Sequence, residues 1–581
     1  PRSTLFPYTT LFRSKMNSQN LIRNAVKLVL SVLIVLSFTF PATAQYFVKS
    51  YDFLGNTDVS YSIEKNPFQA GRWSIAGYTN SNYTAGLTDW MFIKINSAGN
   101  FTHTSLFGFS NNDTCYEHKP LMLTPGFHVL AGEFQMNPLF RTKASFLIVD
   151  SNGNTMFGRQ IADSLQHCYR GVATNNIQAN IHLTGYIENP TATPFVYNHK
   201  ILLSQYNGMT FVKNWAFKYL TMNNQSSERA YSVCLSNSDL TSVITGTTNY
   251  YKQNPAINDV FVSKFYSTGF PVWTKVYKLT PSYVDSESRK IISLNDGGFA
   301  VIGWTNLYDT NSSDIWVFRL DANGNLIWSK SYGSLNLEEK GYSIIQSVED
   351  NNLVFTGMIN TTSNQDEILC KISLADGSII WAKNWDKYSV QDCGYDLEEA
   401  NTPSGYAVTG YTTSQSSSID AFLMRTNQLG NVTPGCVDSL MLPIMLPAPE
   451  VENLTLIPNV VNDIAVMPQT NHPFPLVKTL CVITGSGSNN HVVPEKFVLK
   501  QNFPNPFNPT TNIEYSLPYD CNVKIIVCDC LGRQVATLVN EHKTSGNYMI
   551  SFNASELSSG IYFYQIQAGN FKDVKKLTLV R

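Results

Sequence analysis

One short pattern recurs seven times along this chain: an apolar strand that closes on a glycine, read as IAGYT, LAGEF, LTGYI, ITGTT, VIGWT, FTGMI and VTGYT around Gly77, Gly132, Gly185, Gly246, Gly303, Gly357 and Gly410. The intervals run from 53 to 61 residues, the length of one supersecondary unit rather than of a domain. After each glycine comes a second strand, such as DWMFIKI (89–95), DIWVFRL (314–320) or DAFLMRT (420–426). A tight turn with glycine follows (SAGN, SNGN, ANGN, ADG), where glycine supplies the positive φ of a hairpin. A further strand then begins at tryptophan, in WAFKY (215), WTKVY (273), WSKSY (328) and WAKNW (381). With an opening strand such as YSIIQSV (342–348) or KIISL (290–294), each unit is a four-stranded antiparallel meander.

Such a sheet cannot cover its own faces. The strands after the glycines are nearly continuous apolar runs, so both faces are buried, and a propeller achieves this by packing each sheet between two neighbours. A solenoid would need a shorter period. The expected fold class is therefore all-β: a seven-bladed β-propeller over residues 45–436, with the repeated glycine near the axis where backbones approach closely. The ends of the array agree. The seventh unit reaches its turn at Gly430 and then reads NVTPGC, where Pro434 cannot donate to a ladder. The missing strand is expected from YFVKSY (46–51), which matches IWSKSY (327–332) and would remove an exposed sheet edge.

Upstream of the array, residues 1–15 repeat a TLF unit without strand or helix logic and are read as a non-native leader resembling translated adapter sequence. Residues 16–44 have the build of a secretory signal peptide: Arg23 and Lys27, an apolar run over 28–40, and Ala42-Thr43-Ala44 before Gln45. The run is shorter than the roughly 20 apolar residues of a membrane span. The chain has 41 basic and 43 acidic side chains, and five of the basic ones fall before residue 45. The remainder is mildly acidic with no basic cluster, which argues against a nucleic-acid partner. Ten cysteines spread over the exported part do not form a disulfide framework. Cys436 and Cys481, bracketing an irregular segment, are the candidate bridge.

Residues 437–494 are rich in proline and short apolar alternation and end in GSGSNN, so they read as an extended linker with weak strand character. From residue 495 the style changes. The blocks FVLKQNFPNPFNPTTNIEYSLP (497–518), VKIIVCDCLGRQVATL (523–538), GNYMISFNASELSSGIYFYQI (546–566) and KKLTLVR (575–581) resemble the type IX secretion C-terminal sorting domain of Bacteroidetes, in order and up to the last residue. The resemblance implies an immunoglobulin-like β-sandwich over 495–581 that engages the type IX secretion machinery. It also implies export through the periplasm to the outer-membrane surface or beyond. The residues that carry it are Pro504, Asn505, Pro506, Phe507, Gly532, Gly560, Lys575 and Lys576. Cys528 and Cys530 stand where the family usually has tyrosine and an aliphatic residue, and read as small buried residues rather than a bonded pair.

Chemistry is harder to find. DANGN (321–325) and DSNGN (150–154) resemble the start of a calcium loop but lack its later glycine and glutamate, so hairpin turns are expected and no metal. LADGSIIW (374–381) resembles a quinoprotein repeat, without an adjacent cysteine pair, and also a sialidase Asp-box. The arginine cluster a sialidase needs is absent: Arg319 and Arg425 share a repeat column with Lys94, Lys264 and Lys371, which reads as structural pairing. Nine histidines show no HExxH or His-Asp-Ser spacing. No catalytic residue or cofactor is assigned, and an enzyme is not the leading expectation. A binding or adhesion module for glycan or protein ligands leads, with a glycan-processing enzyme as the alternative. The loops after the glycine strands project from one face and carry Tyr83, Tyr197, Tyr250, Tyr251 and Tyr308, the candidate ligand surface.

Overall fold

The computed structural model describes residues 47–580, apart from loop stretches of which the longest are 81–87, 136–141, 191–196, 386–390, 414–418, 433–437 and 483–496. The leader and signal segment lie outside the described residues. All regular structure among the described residues is strand, arranged in seven five-stranded sheets and two smaller ones.

Each of the seven sheets is built from one sequence repeat. The fourth, for example, runs Glu228–Leu235, Ser242–Thr248, Asp259–Phe265 and Pro271–Lys278, all antiparallel. Its two middle strands are buried at every position, with Asp259, Ser263 and Lys264 included among their apolar residues. In the seventh sheet the last place is taken by Phe47–Asp52, paired with Asp420–Thr426 from Phe47 opposite Arg425 to Tyr51 opposite Ala421. The match between YFVKSY and IWSKSY anticipates this pairing.

Consecutive sheets pack face to face, and the first packs on the seventh. The junction of the sixth and seventh buries Val354, Leu369, Phe422 and Met424, and that of the seventh and first buries Ile75, Met91, Ile93 and Leu423. Each such side chain contributes about 1.5–3 kcal/mol on burial. One polar contact repeats around the set. The last tyrosine of a sheet's fourth strand donates to the turn glycine carbonyl of the following sheet: Tyr219 to Gly269 (2.7 Å), Tyr277 to Gly324 (2.7 Å) and Tyr332 to Gly377 (2.6 Å). Tyr51 makes the same bond from the seventh sheet to Gly99 of the first, at 2.8 Å.

The stretch expected to be a linker does more than span a gap. It supplies the fifth strand of all seven sheets, visiting them in reverse order: Asp438–Ser439 on the sixth, Ile444–Met445 on the fifth, Glu450–Asn453 on the fourth and Ile457–Val460 on the third. Asp463–Ala465 then joins the second, Gln469–Asn471 the first and Leu476–Val482 the seventh. The physical reason is the unpaired N–H and C=O row on the outer edge of every repeat sheet, a template for any extended chain that passes. Proline is tolerated because an edge strand needs only one side of its ladder, and Pro458 pairs opposite Tyr219.

The C-terminal domain has a sheet of Val498–Leu499, Thr510–Leu517 and Gly546–Asn553 and another of Gln534–Lys543, Cys521–Cys528, Gly560–Ala568 and Phe571–Leu579. The two share one core, in which Ile513, Tyr515 and Phe552 meet Val523, Ile525, Tyr564 and Leu577. Inward positions alternate with exposed ones along Cys521–Cys528, the period of a half-buried strand. Cys528 and Cys530 are free thiols, but they are half-buried and exposed respectively and not the small buried residues expected.

Candidate functional site: an axial cavity

The opening strand of every repeat carries one β-bulge, at equivalent places: the register slips between Ser60 and Ser62, Cys115 and Glu117, Tyr169 and Gly171, and Ala230 and Ser232. The same slip falls between Ser288 and Lys290, Gly341 and Ser343, and Gly394 and Asp396. The repeated glycine sits across from the residue before the slip, Gly77 opposite Ser60 and Gly303 opposite Ser288, for example. A Cβ at Gly303 would stand 1.8 Å from the Glu287 carbonyl oxygen, and one at Gly246 would stand 1.9 Å from that of Arg229. The glycine is thus required by a close backbone approach.

The bulge leaves one residue per repeat out of the ladder and re-aims its side chain. Five of these are Tyr61, Tyr116, Tyr231, Tyr342 and Tyr395, and the other two are Arg170 and Arg289. All seven line one cavity of about 240 Å³. Its walls differ. Tyr342, Tyr395, Tyr61 and Tyr116 form a continuous aromatic side, with ring centroids 4.8, 4.8 and 5.5 Å apart in that order. Beyond Tyr116 the lining continues in repeat order with Arg170, Tyr231 and Arg289. The Arg170 guanidinium lies 3.6 Å over the Tyr116 ring, and that of Arg289 lies 5.1 Å from Tyr231. Burial pushes the Tyr61, Tyr116, Tyr342 and Tyr395 phenols well above their usual range, so these four hydroxyls stay protonated and serve as hydrogen-bond donors and acceptors.

The residue after each bulge forms the floor. Lys290 reaches across the axis to Glu117 of the second sheet at 2.7 Å and to Asp396 of the seventh at 3.5 Å. Glu117 also accepts from the Val172 amide (2.7 Å), and Asp396 from the Ile63 amide (3.0 Å) and the Ser343 hydroxyl (2.6 Å). One lysine therefore ties three sheets together beneath the tyrosines. Residues two before the bulge mark the opposite end, where Lys340 stacks 5.3 Å from Trp304 and Arg229 lies 5.6 Å from Tyr186.

The loop tyrosines fare differently. Tyr83 lies outside the described residues. Tyr197 opens the strand Tyr197–Asn207 opposite Pro190, its side chain outside the description. Tyr250 and Tyr251 meet edge to face at 4.9 Å and pack, half-buried, on a core that includes Leu454 and Leu456 of the edge segment. Tyr308 is exposed. Cys436 lies outside the described residues, and the backbone of Cys481 pairs with Val48. Among the described residues, three of the five basic residues in the shared column form ion pairs, Lys264 with Asp239 and Lys371 with Asp350, at 2.8 and 2.7 Å, and Arg319 with Asp296, while Lys94 donates to the Ser151 carbonyl and Arg425 lies over the Trp73 ring. The DANGN segment is a hairpin turn in which Asp321 accepts from the amides of Asn323 and Asn325, both at 2.8 Å.

In the tail the first and last blocks interlock. The Asn505 side chain accepts from the Thr578 amide (2.8 Å) and donates to the Lys576 carbonyl (3.2 Å), while the Phe507 amide donates to Thr578 (2.9 Å). The Asn505–Pro506 bond is cis, and Phe507 is buried. Pro504 lies outside the described residues. Gly532 takes φ +78 in the turn closed by Asp529, Gly560 begins the strand Gly560–Ala568, and Lys576 is exposed beside the partly covered Lys575.

Fold and cavity define an all-β repeat protein whose seven sheets surround a polar, tyrosine-lined cavity, with a separate two-sheet domain at the C-terminus. Residues 501–580 match the family model of the secretion system C-terminal sorting domain. The tail marks the chain for type IX export to the cell surface or the extracellular space. No curated protein matches the chain. Among solved structures it is similar, at 10% identity, to PorZ of Porphyromonas gingivalis, described as an essential bacterial surface component of the type-IX secretion system. That match covers 90% of this chain and 81% of that one, with a TM-score of 0.21.

Proposed function

We propose that the seven sheets are the blades of a seven-bladed β-propeller, that the tail is an immunoglobulin-like sandwich, and that the exported protein is a binding or adhesion module. The observation that carries the binding role is the axial cavity, where seven equivalent bulges converge on tyrosines and guanidiniums, side chains that recur at recognition sites. The floor carboxylates Glu117 and Asp396 are already held by Lys290 and by backbone amides. This supports recognition over turnover, since a general acid or base needs an oxygen free to exchange a proton. The loop tyrosines Tyr250, Tyr251 and Tyr308 are a second place where a larger ligand would touch.

The test is a glycan and matrix-protein array probed with the whole exported chain and with a Tyr61→Ala, Tyr395→Ala double variant. A ligand bound by the parent and lost by the variant is expected. A ligand lost only on replacing Tyr250 and Tyr251 would move the site to the loops. Silence on both arrays would overturn the binding role.

A further inference from the structure

We infer that the axial cavity is a site for a single acidic sugar ring, with Arg170 as the residue that receives its carboxylate. This deepens the binding role proposed above and rests on it. Arg170 is a bulged residue of the third sheet and faces the cavity. Its neighbours are the Tyr116 ring beneath the guanidinium and the Tyr186 hydroxyl at 3.4 Å. Its Nε is buried with no hydrogen-bond partner, while the Glu133 carboxylate and the Cys168 side chain lie close enough to favour its charged form. The nearby Glu133 is engaged by the Tyr116 hydroxyl at 2.7 Å. Arg289, by contrast, has Glu287 beside it.

A guanidinium stays charged at any ordinary pH, and drawing it out of water carries a desolvation cost that is the largest effect on Arg170, with Glu133 and the neighbouring tyrosines acting against it. An anion entering the cavity would remove that cost, and the free edge of a guanidinium suits a carboxylate in the paired, two-bond manner. The rest of the site narrows the class. Tyr342, Tyr395 and Tyr61 offer rings tilted 70° and 49° to one another in that order, and the C–H face of a sugar packs against one of them. The tyrosine hydroxyls, Ser232 and the floor at Lys290 and Asp396 supply donors and acceptors for ring hydroxyls. An apolar aromatic acid would offer those groups nothing to bond. The volume, about 240 Å³, is below the roughly 300 Å³ at which drug-sized pockets begin, so one ring fits and a folded oligosaccharide does not.

The experiment is calorimetry on the whole exported chain with glucuronate, glucose and sodium sulfate, each on the parent, Arg170→Gln and Arg170→Lys. Glucuronate is expected to bind at least tenfold more tightly than glucose, and Arg170→Gln is expected to erase that preference while Arg170→Lys keeps part of it. Sulfate binding more tightly than glucuronate would make the site one for inorganic anions and overturn the sugar assignment. A thermal melt separates recognition from a structural role. Without ligand Arg170→Lys, which keeps the charge beside Glu133, is expected to melt near the parent and yet to lose part of the preference for glucuronate, whereas a purely structural arginine would change the melt and leave the preference intact. Equal binding of glucose and glucuronate, or a preference that survives Arg170→Gln, overturns the acidic-ligand assignment and leaves the binding role standing. Failure of all three probes, together with silent arrays, overturns both.

Discussion

A methyl group added at Gly303 would meet the Glu287 carbonyl oxygen at 1.8 Å, and that oxygen belongs to Ser286–Ser293, paired on one side with Phe299–Thr305 and packed between the neighbouring sheets. The Gly303→Ala variant is therefore expected to lose about 3 kcal/mol or more, the upper range for overpacking. Gly297→Ala is the control: it sits at φ +86 with nothing within 4 Å, so only the backbone cost of about 1–2 kcal/mol applies. Urea unfolding of the two variants measures the difference, and equal losses would contradict the close-approach account. The strand glycine was legible in the sequence because it recurs in an otherwise apolar run. The bulged residue was missed: Tyr-Ser-aliphatic triplets at Tyr61, Tyr231 and Tyr342, about 15 residues before a glycine, carry a signal for it, but Arg170 and Arg289 break the pattern and hide the ring. A second residue-scale expectation concerns buried carboxyls. Burial, aided by Asp314, pushes Glu339 up to about 8, and burial with Asp392 and Asp366 does the same to Glu367 against a hydrogen bond from Thr356. Between 4.5 and 8 these folded carboxyls keep protons that the unfolded chain releases, so stability falls as pH rises across that window. Burial lowers His128 to about 3 and His182 to about 4, which gives the opposite slope below pH 6.5. Stability is thus expected to peak near pH 6 and decline toward pH 8, by at most about 1.4 kcal/mol per pH unit for each carboxyl. Glu339→Gln with Glu367→Gln should flatten the decline in urea midpoints between pH 6.5 and 8, and an unchanged slope would assign it elsewhere.

At the scale of the element, the edge-pairing segment 438–482 was the least legible part of the chain. Its pieces pair over two to seven residues, too short for alternation to register, and its prolines argue against a central strand. What makes it strand is the partner: seven outer edges that offer hydrogen bonds whatever the passing sequence is. The four-stranded repeats, by contrast, announce themselves because their apolar runs must serve two packed faces at once. If the segment guards those edges, a chain ending at residue 436 should self-associate and melt lower, because seven open edges then face solvent. A chain ending at residue 494 keeps the segment and should remain monomeric. Light scattering on the two forms checks this, and a monomeric short form would show that the edges are protected without it.

Over the whole molecule, two kinds of signal are written in separate places, and each is read by different physics. The repeat region is specified by mutual burial, so its recognition needs only period and hydrophobicity. The tail is specified by an interlock of its own first and last blocks, in which Asn505 and Phe507 are hydrogen-bonded to the strand at Thr578 and Lys576. The type IX machinery is therefore expected to read a folded object and not a linear peptide. Deleting residues 495–581 should leave the protein in the periplasm, with its repeat region still folded. Asn505→Ala removes both side-chain bonds that hold the last strand, at about 1 kcal/mol each, without changing the terminal residues. If the folded tail is what is recognised, this variant should be released less than the parent in proportion to its loss of tail stability, measured by cell fractionation beside hydrogen exchange at Thr578. Normal release of a tail shown to be unfolded would mean that the terminal sequence alone is sufficient.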